Sequence, residues 1–291
     1  MKKTALLRKV LAEEKLLVTL GVHDALSARI MEKAGFKATF LSGFGFEASL
    51  LGKPDAGLLT MTEIVRHASN IASAVNIPVL ADAEAGYGGP GNIQRTIREF
   101  EKAGVAGVFI EDQAHPVKCG SLRQYKRIIS MEEMIMKVRC ALDAREDPDF
   151  VICARTDSDI ISLDEQIRRC NAYAQEGADF VTAIPSGREE FEAMAKGVNT
   201  PLWLYLTSQS TLTPKDLVAM GIRGIVTYPV EPLFVATKVM MDLAEELISK
   251  GTVKDTFDRL QALGYMEFFD FIGLREVVEL DNRYSLEESK A

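Results

Sequence analysis

Eight short apolar runs alternate with helical patterns along most of this 291-residue chain. The runs are rich in β-branched and aromatic residues, which is typical of strands in a parallel sheet that is covered on both faces. They cover residues 15–21, 37–43, 77–84, 105–113, 149–157, 179–186, 201–208 and 222–229. Eight such β–α units in roughly 230 residues predict an α/β fold, the closed (β/α)8 TIM barrel.

The helical segments between the runs carry the end signals that such units need. Residues 24–35 begin with a capping Asp24, residues 162–177 begin with a capping Ser162, and both segments end at a glycine. A doubly wound open sheet is the alternative, but it has fewer strands and a glycine-rich phosphate loop after its first strand. This chain has GVHDAL at that point, so the barrel explains the pattern better.

An aromatic-rich segment follows the eighth unit. We expect residues 1–291 to form a single barrel domain, with residues 251–291 as a C-terminal helical extension. Its apolar side chains, among them Phe257, Phe268 and Phe269, would need a cover if they lay outside a closed barrel. An extra helix that seals the barrel is one interpretation. A helix exchanged between neighbouring subunits is the other, and it is the one that we predict.

Composition excludes several classes of partner. The chain has 42 acidic residues against 34 Lys and Arg, and no basic block, so we expect no nucleic-acid partner. No apolar run reaches the ~18 residues that a membrane span needs, and charges interrupt the apolar N-terminal pattern, which is unlike a signal peptide. Four cysteines without a CxxC pair indicate a reducing compartment. We therefore expect a cytoplasmic protein without a membrane partner.

Charged residues end four consecutive predicted strands, on the side where barrel enzymes carry their active sites. Asp82 and Glu84 are two residues apart, so on a strand they would point to the same face. With Glu111 from the next strand they would repel each other unless a cation lay between them, and hard oxygen ligands suit Mg2+ or Mn2+. Arg155 would offer a fork for a substrate carboxylate. Pairing of the acids with Arg155 alone is the alternative.

A long polar loop, residues 114–127, follows the fourth predicted strand. Long loops at the active face of a barrel are often lids. This loop carries Cys119 beside Lys118, and a neighbouring cation would lower the pKa of the thiol and favour a role in proton transfer. An incidental loop cysteine is the alternative.

Six motifs of the chain, in this order and spacing, resemble those of the isocitrate lyase/phosphoenolpyruvate mutase superfamily. They are LSGFG, LGKPDAGLLTMTE, ADAEAGYGGP, FIEDQ, PVKCGS and ARTD. The lid is most similar to that of the 2-methylisocitrate lyase, dimethylmalate lyase and petal death protein branch. The resemblance implies a Mg2+-dependent carbon–carbon lyase that acts on a 2-hydroxy di- or tricarboxylate and releases pyruvate or a related 2-keto acid through a metal-bound enolate. It also implies a homotetramer built as a dimer of dimers.

The same resemblance assigns roles to individual residues. Metal binding would fall to four carboxylates, the first two directly and the last two through water: Asp82, Glu84, Asp55 and Glu111. Substrate binding would fall to Ser42, Gly43, Phe44, Cys119, Gly120, Arg155 and Thr207. The catalytic residues would be Cys119, Glu111 and Arg155, with Cys119 as the acid that protonates the departing carbanion.

Five positions depart from the lyase pattern, namely Phe40, Glu84, Ser121, Ile184 and Tyr205. In their places the lyases carry Tyr, Asp, His, Glu and Asn, respectively. The keto-acid half of the site is therefore kept, while the half that holds the leaving group is rebuilt, and the substrate stays open. The alternatives are an oxaloacetate-type decarboxylase or hydrolase, a phosphorus–carbon mutase or hydrolase, and a weakened homologue that only binds a small acid or a partner.

Overall fold

The structure, a computed structural model, describes residues 1–284. Its eight strands form a closed barrel in which each strand pairs in parallel with the next and the last pairs with the first. The strands are β1 (Leu16–Val22), β2 (Thr39–Leu41), β3 (Val79–Asp82), β4 (Gly107–Glu111), β5 (Val151–Arg155), β6 (Phe180–Thr182), β7 (Leu202–Tyr205) and β8 (Gly224–Tyr228). Each begins within one of the predicted runs, and the predicted TIM barrel is confirmed.

Helices follow the strands along the chain. They are α1 (Lys3–Glu13), α2 (Ala25–Lys33), α3 (Gly43–Phe46), α4 (Met61–Ala74), α5 (Pro90–Lys102), α6 (Met131–Ala144), α7 (Leu163–Gln175), α8 (Gly187–Gly197), α9 (Pro214–Ala219) and α10 (Glu231–Lys250). The predicted caps are confirmed, because the side chains of Asp24 and Ser162 accept backbone N–H groups at 2.6 and 3.1 Å. None of the described helices combines the length and apolarity that a membrane span requires.

The barrel interior is filled by aromatic and aliphatic side chains. The ring of Phe40 lies 5.4 Å from that of Trp203 and 5.8 Å from that of Phe109. Leu7 and Val10 of α1 belong to the same buried cluster, so this helix covers the N-terminal end of the barrel. The carboxyl ends of the strands are thereby left as the end at which a site can form.

The chain divides into two compact units, Met1–Leu233 and a second that begins at Phe234. The second unit holds the rest of α10 together with α11 (Lys254–Leu260), α12 (Tyr265–Ile272) and α13 (Leu274–Tyr284). Several of its apolar side chains are largely exposed, with Ile248 at 89% and Tyr265 at 87%. The predicted extension, 251–291, lies in this unit, and its residues 285–291 lie outside the described chain. The single domain and the exchange of helices between subunits stay predictions.

Candidate active site

Three of the predicted carboxylates lie buried at the carboxyl ends of neighbouring strands. Asp82 and Glu111 are the last residues of β3 and β4, and Asp82, Glu84 and Glu111 are only 9%, 8% and 3% exposed. Glu84 does not continue the strand, because it has a left-handed backbone with φ of 51°. The Asp82 Oδ1 accepts the Glu84 N–H at 2.8 Å, which closes a tight turn. This turn, and not a shared strand face, places Glu84 beside Asp82.

Gly43 shows how closely these two carboxylates approach each other. A Cβ atom on Gly43 would lie 2.8 Å from the Asp82 Oδ2 and 2.7 Å from the Glu84 Oε1. Any side chain at residue 43 would therefore collide with the carboxylates. The Gly43 N–H donates to the Asp82 Oδ2 at 3.2 Å. Ser42 is the N-cap of α3, with Gly43 and Phe44 as its first residues, so the predicted keto-acid segment lies against the carboxylate pair.

The ionisation of these carboxyl groups is opposed by their surroundings. Burial raises the pKa of Asp82 to about 6, against a smaller opposing effect of Arg155. Burial, with the negative charge of Asp82, raises the pKa of Asp55 to about 7. The pKa values of Glu84 and Glu111 also lie well above normal, first because of burial. The group thus has more negative charge than nearby cations compensate.

This donor set fits a hard divalent cation. Its ligand atoms are carboxylate oxygens, and Gly43 keeps the space between Asp82 and Glu84 clear of carbon. Within the described chain no three side chains of His, Cys, Asp or Glu are arranged to enclose a metal by themselves. Mg2+ usually keeps several waters and takes one or two protein carboxylates directly. Asp82 and Glu84 as direct ligands, with Asp55 and Glu111 through water, fit that pattern and stay a prediction.

Arg155 closes the other side of the site as the last residue of β5. Its Nε and Nη2 donate to Asp157 at 2.8 and 3.0 Å, and its Nη1 lies 3.4 Å from Glu111. Its guanidinium also lies over the rings of Phe109 and Tyr205, 5.2 and 5.9 Å from their centroids. The predicted fork is thus engaged by Asp157. Each Nη carries two N–H groups, so a substrate carboxylate can still bind without displacing Asp157.

The predicted lid is docked onto the loop that carries Asp55. The Cys119 N–H donates to the carbonyl oxygen of Asp55 at 3.2 Å. The Lys118 ammonium donates to the carbonyl oxygen of Ala56 at 3.1 Å. Gln113, at the end of the preceding segment, holds the backbone of Lys118 by two hydrogen bonds of 2.8 and 3.0 Å. These contacts bring Cys119 to the same mouth as the carboxylates.

Gly120 lets the lid lie directly on Arg155. A Cβ atom on Gly120 would lie 2.6 Å from the Arg155 Nη2 and 3.0 Å from the Ile184 Cδ1. A larger residue at position 120 would therefore have to push the guanidinium or the lid aside. Gly120 therefore lies beside the Arg155 guanidinium, and its predicted role in substrate binding stays a prediction.

The expected influence of Lys118 on the Cys119 thiol is wrong. Burial, followed by the negative charge of Asp55, raises the pKa of Cys119, while hydrogen bonds with Ser121 lower it less. The Lys118 ammonium is directed at the carbonyl oxygens of Ala56 and Val117 instead. Cys119 therefore keeps its proton at neutral pH, which suits a proton donor.

Thr207 does not join the group. It is exposed and forms hydrogen bonds within its own turn, from its N–H to Ser210 and from the Gln209 N–H to its hydroxyl. Tyr205, two residues earlier on β7, does reach the interior. Its buried hydroxyl has no hydrogen-bond partner among the described residues, and Arg155 and Asp82 both act on it electrostatically. A buried donor of this kind is expected at a binding site.

Several residues that shape the site were not assigned from the sequence. Glu47 is buried and its carboxylate accepts N–H groups of the loop around Asp55. Lys126 is buried with Asp157, with its Nζ 3.0 Å from the Asp157 Oδ1. Lys137 interrupts the apolar face of α6. Of these three residues only Lys137 gave a signal in the sequence, as a charge inside an apolar helical stripe. Glu47 and Lys126 gave none, because their partners are distant in sequence.

Comparison with known proteins agrees with this geometry. The sequence profile of the family described as phosphoenolpyruvate phosphomutase matches residues 7–248. The 2,3-dimethylmalate lyase of Eubacterium barkeri is 39% identical over 98% of this chain and 99% of its own length. The chain belongs to the phosphoenolpyruvate mutase/isocitrate lyase superfamily. The resemblance found in the sequence motifs is thereby confirmed.

Solved structures from this superfamily superpose on nearly the whole chain. A structure of oxaloacetate acetylhydrolase in complex with 3,3-difluorooxalacetate has a TM-score of 0.89 and 30% identity, and covers 97% of both chains. A structure of phosphonopyruvate hydrolase with oxalate and Mg2+ has a TM-score of 0.89 and 28% identity, covering 98% of this chain and 99% of the other. Superfamily members with this fold thus carry out several different reactions.

Proposed function

We propose that this protein is a Mg2+-dependent carbon–carbon lyase that cleaves a 2-hydroxy di- or tricarboxylate and releases pyruvate or a related 2-keto acid. The observation that carries the proposal is the pair of buried carboxylates, Asp82 and Glu84, held against Gly43 while the thiol-bearing lid is docked above Arg155. Similarity to the 2,3-dimethylmalate lyase over the full chain supports it. Mn2+ has the same ligand preference and would be expected to replace Mg2+.

Binding and orientation of the substrate are assigned to the keto-acid side of the site. Ser42, Gly43 and Phe44, with Arg155, would hold the carboxylate next to the 2-hydroxy carbon and so fix the bond to be cleaved. When bound, Mg2+ would stabilise the negative charge that develops on the 2-hydroxy oxygen. The docked lid would limit the access of water to this space and so protect the carbanion from side reactions.

Proton transfer is assigned to Cys119. As the carbon–carbon bond breaks, its electron pair would move to the departing carbon, which takes the proton of the Cys119 thiol. The 2-hydroxy group would give its own proton to a carboxylate of the group and become a ketone. The Cys119 thiol contacts the Asp55 carboxylate, through which the proton taken from the 2-hydroxy group would return to the thiolate. One proton is lost and one is gained, so the reaction balances.

A product assay tests this function. Purified protein is incubated with a panel of 2-hydroxy di- and tricarboxylates, with Mg2+ or with EDTA, and the 2-keto acid is measured. We expect release of a 2-keto acid with at least one substrate, and only with Mg2+. If no substrate of the panel releases a 2-keto acid while Mg2+-dependent oxalate binding is retained, the result would favour a homologue that only binds a small acid.

A second candidate is hydrolysis or decarboxylation of an oxaloacetate-like acid. It is favoured by the close superposition on oxaloacetate acetylhydrolase, at a TM-score of 0.89. The same carboxylates and Arg155 would bind the keto acid in either reaction. Incubation with oxaloacetate separates the candidates, since a hydrolase releases oxalate, a decarboxylase releases CO2, and the proposed lyase releases neither.

Assembly and location follow as parts of the proposal. We assign a cytoplasmic homotetramer, a dimer of dimers, with no membrane or nucleic-acid partner. The exposed apolar side chains of α10 and α12 support an assembly that covers them, and the four free cysteines agree with a reducing compartment. Light scattering of the full chain should give the mass of four chains. A stable monomer would contradict the assembly.

A further inference from the structure

The turn that carries Glu84 is held in an unfavourable backbone conformation. Glu84 and Tyr87 have φ of 51° and 58°, and the glycines between and after them, Gly86 and Gly88, have φ of 85° and 138°. A left-handed conformation is unfavourable for a residue with a side chain. Such a turn persists only if its surroundings fix it, and the position of the Glu84 carboxylate depends on that restraint.

Part of the restraint comes from the barrel itself. The Glu84 N–H donates to the Asp82 side chain at 2.8 Å, and the Glu84 carbonyl oxygen accepts the Glu111 N–H at 2.9 Å. The Gly86 N–H donates to the Ala83 carbonyl oxygen at 3.0 Å. The carbonyl oxygen of Ala85, directly after Glu84, has its partner in the helix layer.

That partner is Lys137 of α6. Its Nζ donates to the Ala85 carbonyl oxygen at 3.0 Å, and the contact is buried. Lys137 is only 6% exposed and lies in the apolar stripe formed with Met134 and Ala141. Lys137, Ala85 and Glu84 line one cavity of about 320 Å³. Lys137 thus supports the turn from the surrounding helix layer.

Burying an ammonium group to donate to a single carbonyl oxygen is energetically unfavourable, because the charge loses its solvation. Within residues 1–284 the Lys137 ammonium forms no ion pair, although Glu133, Glu111 and Asp112 act on it through space. Its charge therefore offsets part of the negative charge around Glu111 without occupying the space between the carboxylates. An apolar residue would fill the same stripe but would leave the Ala85 carbonyl oxygen without this donor.

We propose that Lys137 is a positioning residue for the cation site: from α6 it fixes the left-handed turn so that the Glu84 carboxylate faces the cation. The inference rests on the proposed function only in that Asp82 and Glu84 bind a divalent cation. Residues that orient metal ligands from behind contribute about 10–100-fold to metal affinity.

Titration of the metal-free protein with Mn2+, followed by water-proton relaxation, tests the proposal. We expect Lys137→Met to raise the Mn2+ dissociation constant about tenfold or more, and Lys137→Arg, which keeps a charged donor, to restore most of the affinity. Lys3→Met is the matched control, because Lys3 is also a partly buried lysine whose Nζ donates to a backbone carbonyl oxygen, that of Ala72. It should keep the wild-type affinity.

Lys137→Gln serves if Lys137→Met does not fold. Its amide nitrogen is one bond short of the lysine Nζ and cannot reach the Ala85 carbonyl oxygen, so it should weaken Mn2+ binding as Lys137→Met does. Wild-type affinity in either folded variant would overturn the inference. Asp82→Ala in the same titration keeps the two proposals apart. If the wild type binds no Mn2+, or if Asp82→Ala binds it as tightly as the wild type, the result contradicts the proposed metal site itself and not only the role of Lys137.

Discussion

Asp82 and Asp157 are two buried aspartates near the carboxyl ends of β3 and β5, but they have different neighbours. Asp157 is bound by the Arg155 guanidinium at 2.8 and 3.0 Å and by the Lys126 ammonium at 3.0 Å. Asp82 instead accepts the backbone N–H groups of Gly43 and Glu84. The cations lower the pKa of Asp157 despite burial, whereas burial raises that of Asp82 to about 6.

The difference separates a structural carboxylate from one that can take up an added cation. Burial disfavours the charged form of any carboxylic acid, and nearby positive charge reverses the effect. Around Asp157 the protein supplies that charge itself, so a further cation would gain little. Around Asp82, Glu84 and Asp55 the compensation is incomplete, and a divalent cation would supply what is missing.

The largest expected effect is on ligand binding when Asp82 is removed. Asp82→Ala should abolish Mg2+-dependent binding of oxalate, an enolate mimic, because the cation loses its central ligand. Isothermal titration with oxalate at saturating Mg2+ measures this. Glu84→Asp is the milder comparison, and higher activity in that variant would identify the glutamate as a poorly placed ligand. Unchanged oxalate affinity in Asp82→Ala would remove the distinction between the two aspartates.

The stability of the folded protein should depend on Asp157 more than on Asp82, the reverse of the order expected for ligand binding. Asp157→Ala leaves the buried cations Arg155 and Lys126 without their shared partner, and should lower the free energy of unfolding by about 3 kcal/mol. Asp82→Asn relieves repulsion and keeps an acceptor for Glu84, so without metal it should be at least as stable as the wild type. Urea unfolding at pH 8 in EDTA compares them. Equal losses in both variants would contradict the comparison.

Cys119 extends the prediction to turnover, since its thiol contacts Asp55 of the undercompensated group. Cys119→Ser should lower turnover by ~10²-fold or more, the usual scale for a lost proton donor, while the melting temperature and Mg2+–oxalate affinity are kept. Steady-state kinetics on any accepted substrate, with thermal unfolding as the control, measures this. A wild-type rate would argue against the lyase mechanism and favour decarboxylation or a binding role.

The smallest expected effect is in the pH dependence of stability. The folded pKa values of Asp55 and Asp82, about 7 and about 6, are raised from 3.8. The folded state therefore binds protons more tightly than the unfolded state, and metal-free stability falls as pH rises from about 4 to about 7. Because Mg2+ competes with these protons, its stabilisation should grow over the same window. Thermal unfolding with and without Mg2+ should show a larger shift at pH 8 than at pH 5. Equal shifts would mean that these groups do not bind the cation.

The sequence by itself determined the barrel and the location of its site. Apolar runs, helix caps and terminal glycines are local signals. Eight apolar runs that alternate with helical segments are compatible with few folds other than the barrel. Parallel strands place their carboxyl ends at one end of the barrel. For that reason Asp82, Glu111 and Arg155 could be assigned to one mouth before their distances were known.

The tertiary structure alone decided which charges are compensated. Lys126 meets Asp157 across 31 residues and Lys137 meets Ala85 across 52, and no periodicity identifies such partners. The direction of Lys118, away from the Cys119 thiol, depends on the docked loop that carries Asp55. The left-handed turn of Glu84 likewise depends on bonds from two other segments, β4 and α6. A pKa is set by burial and by the nearest charges in space, and both are properties of the folded chain.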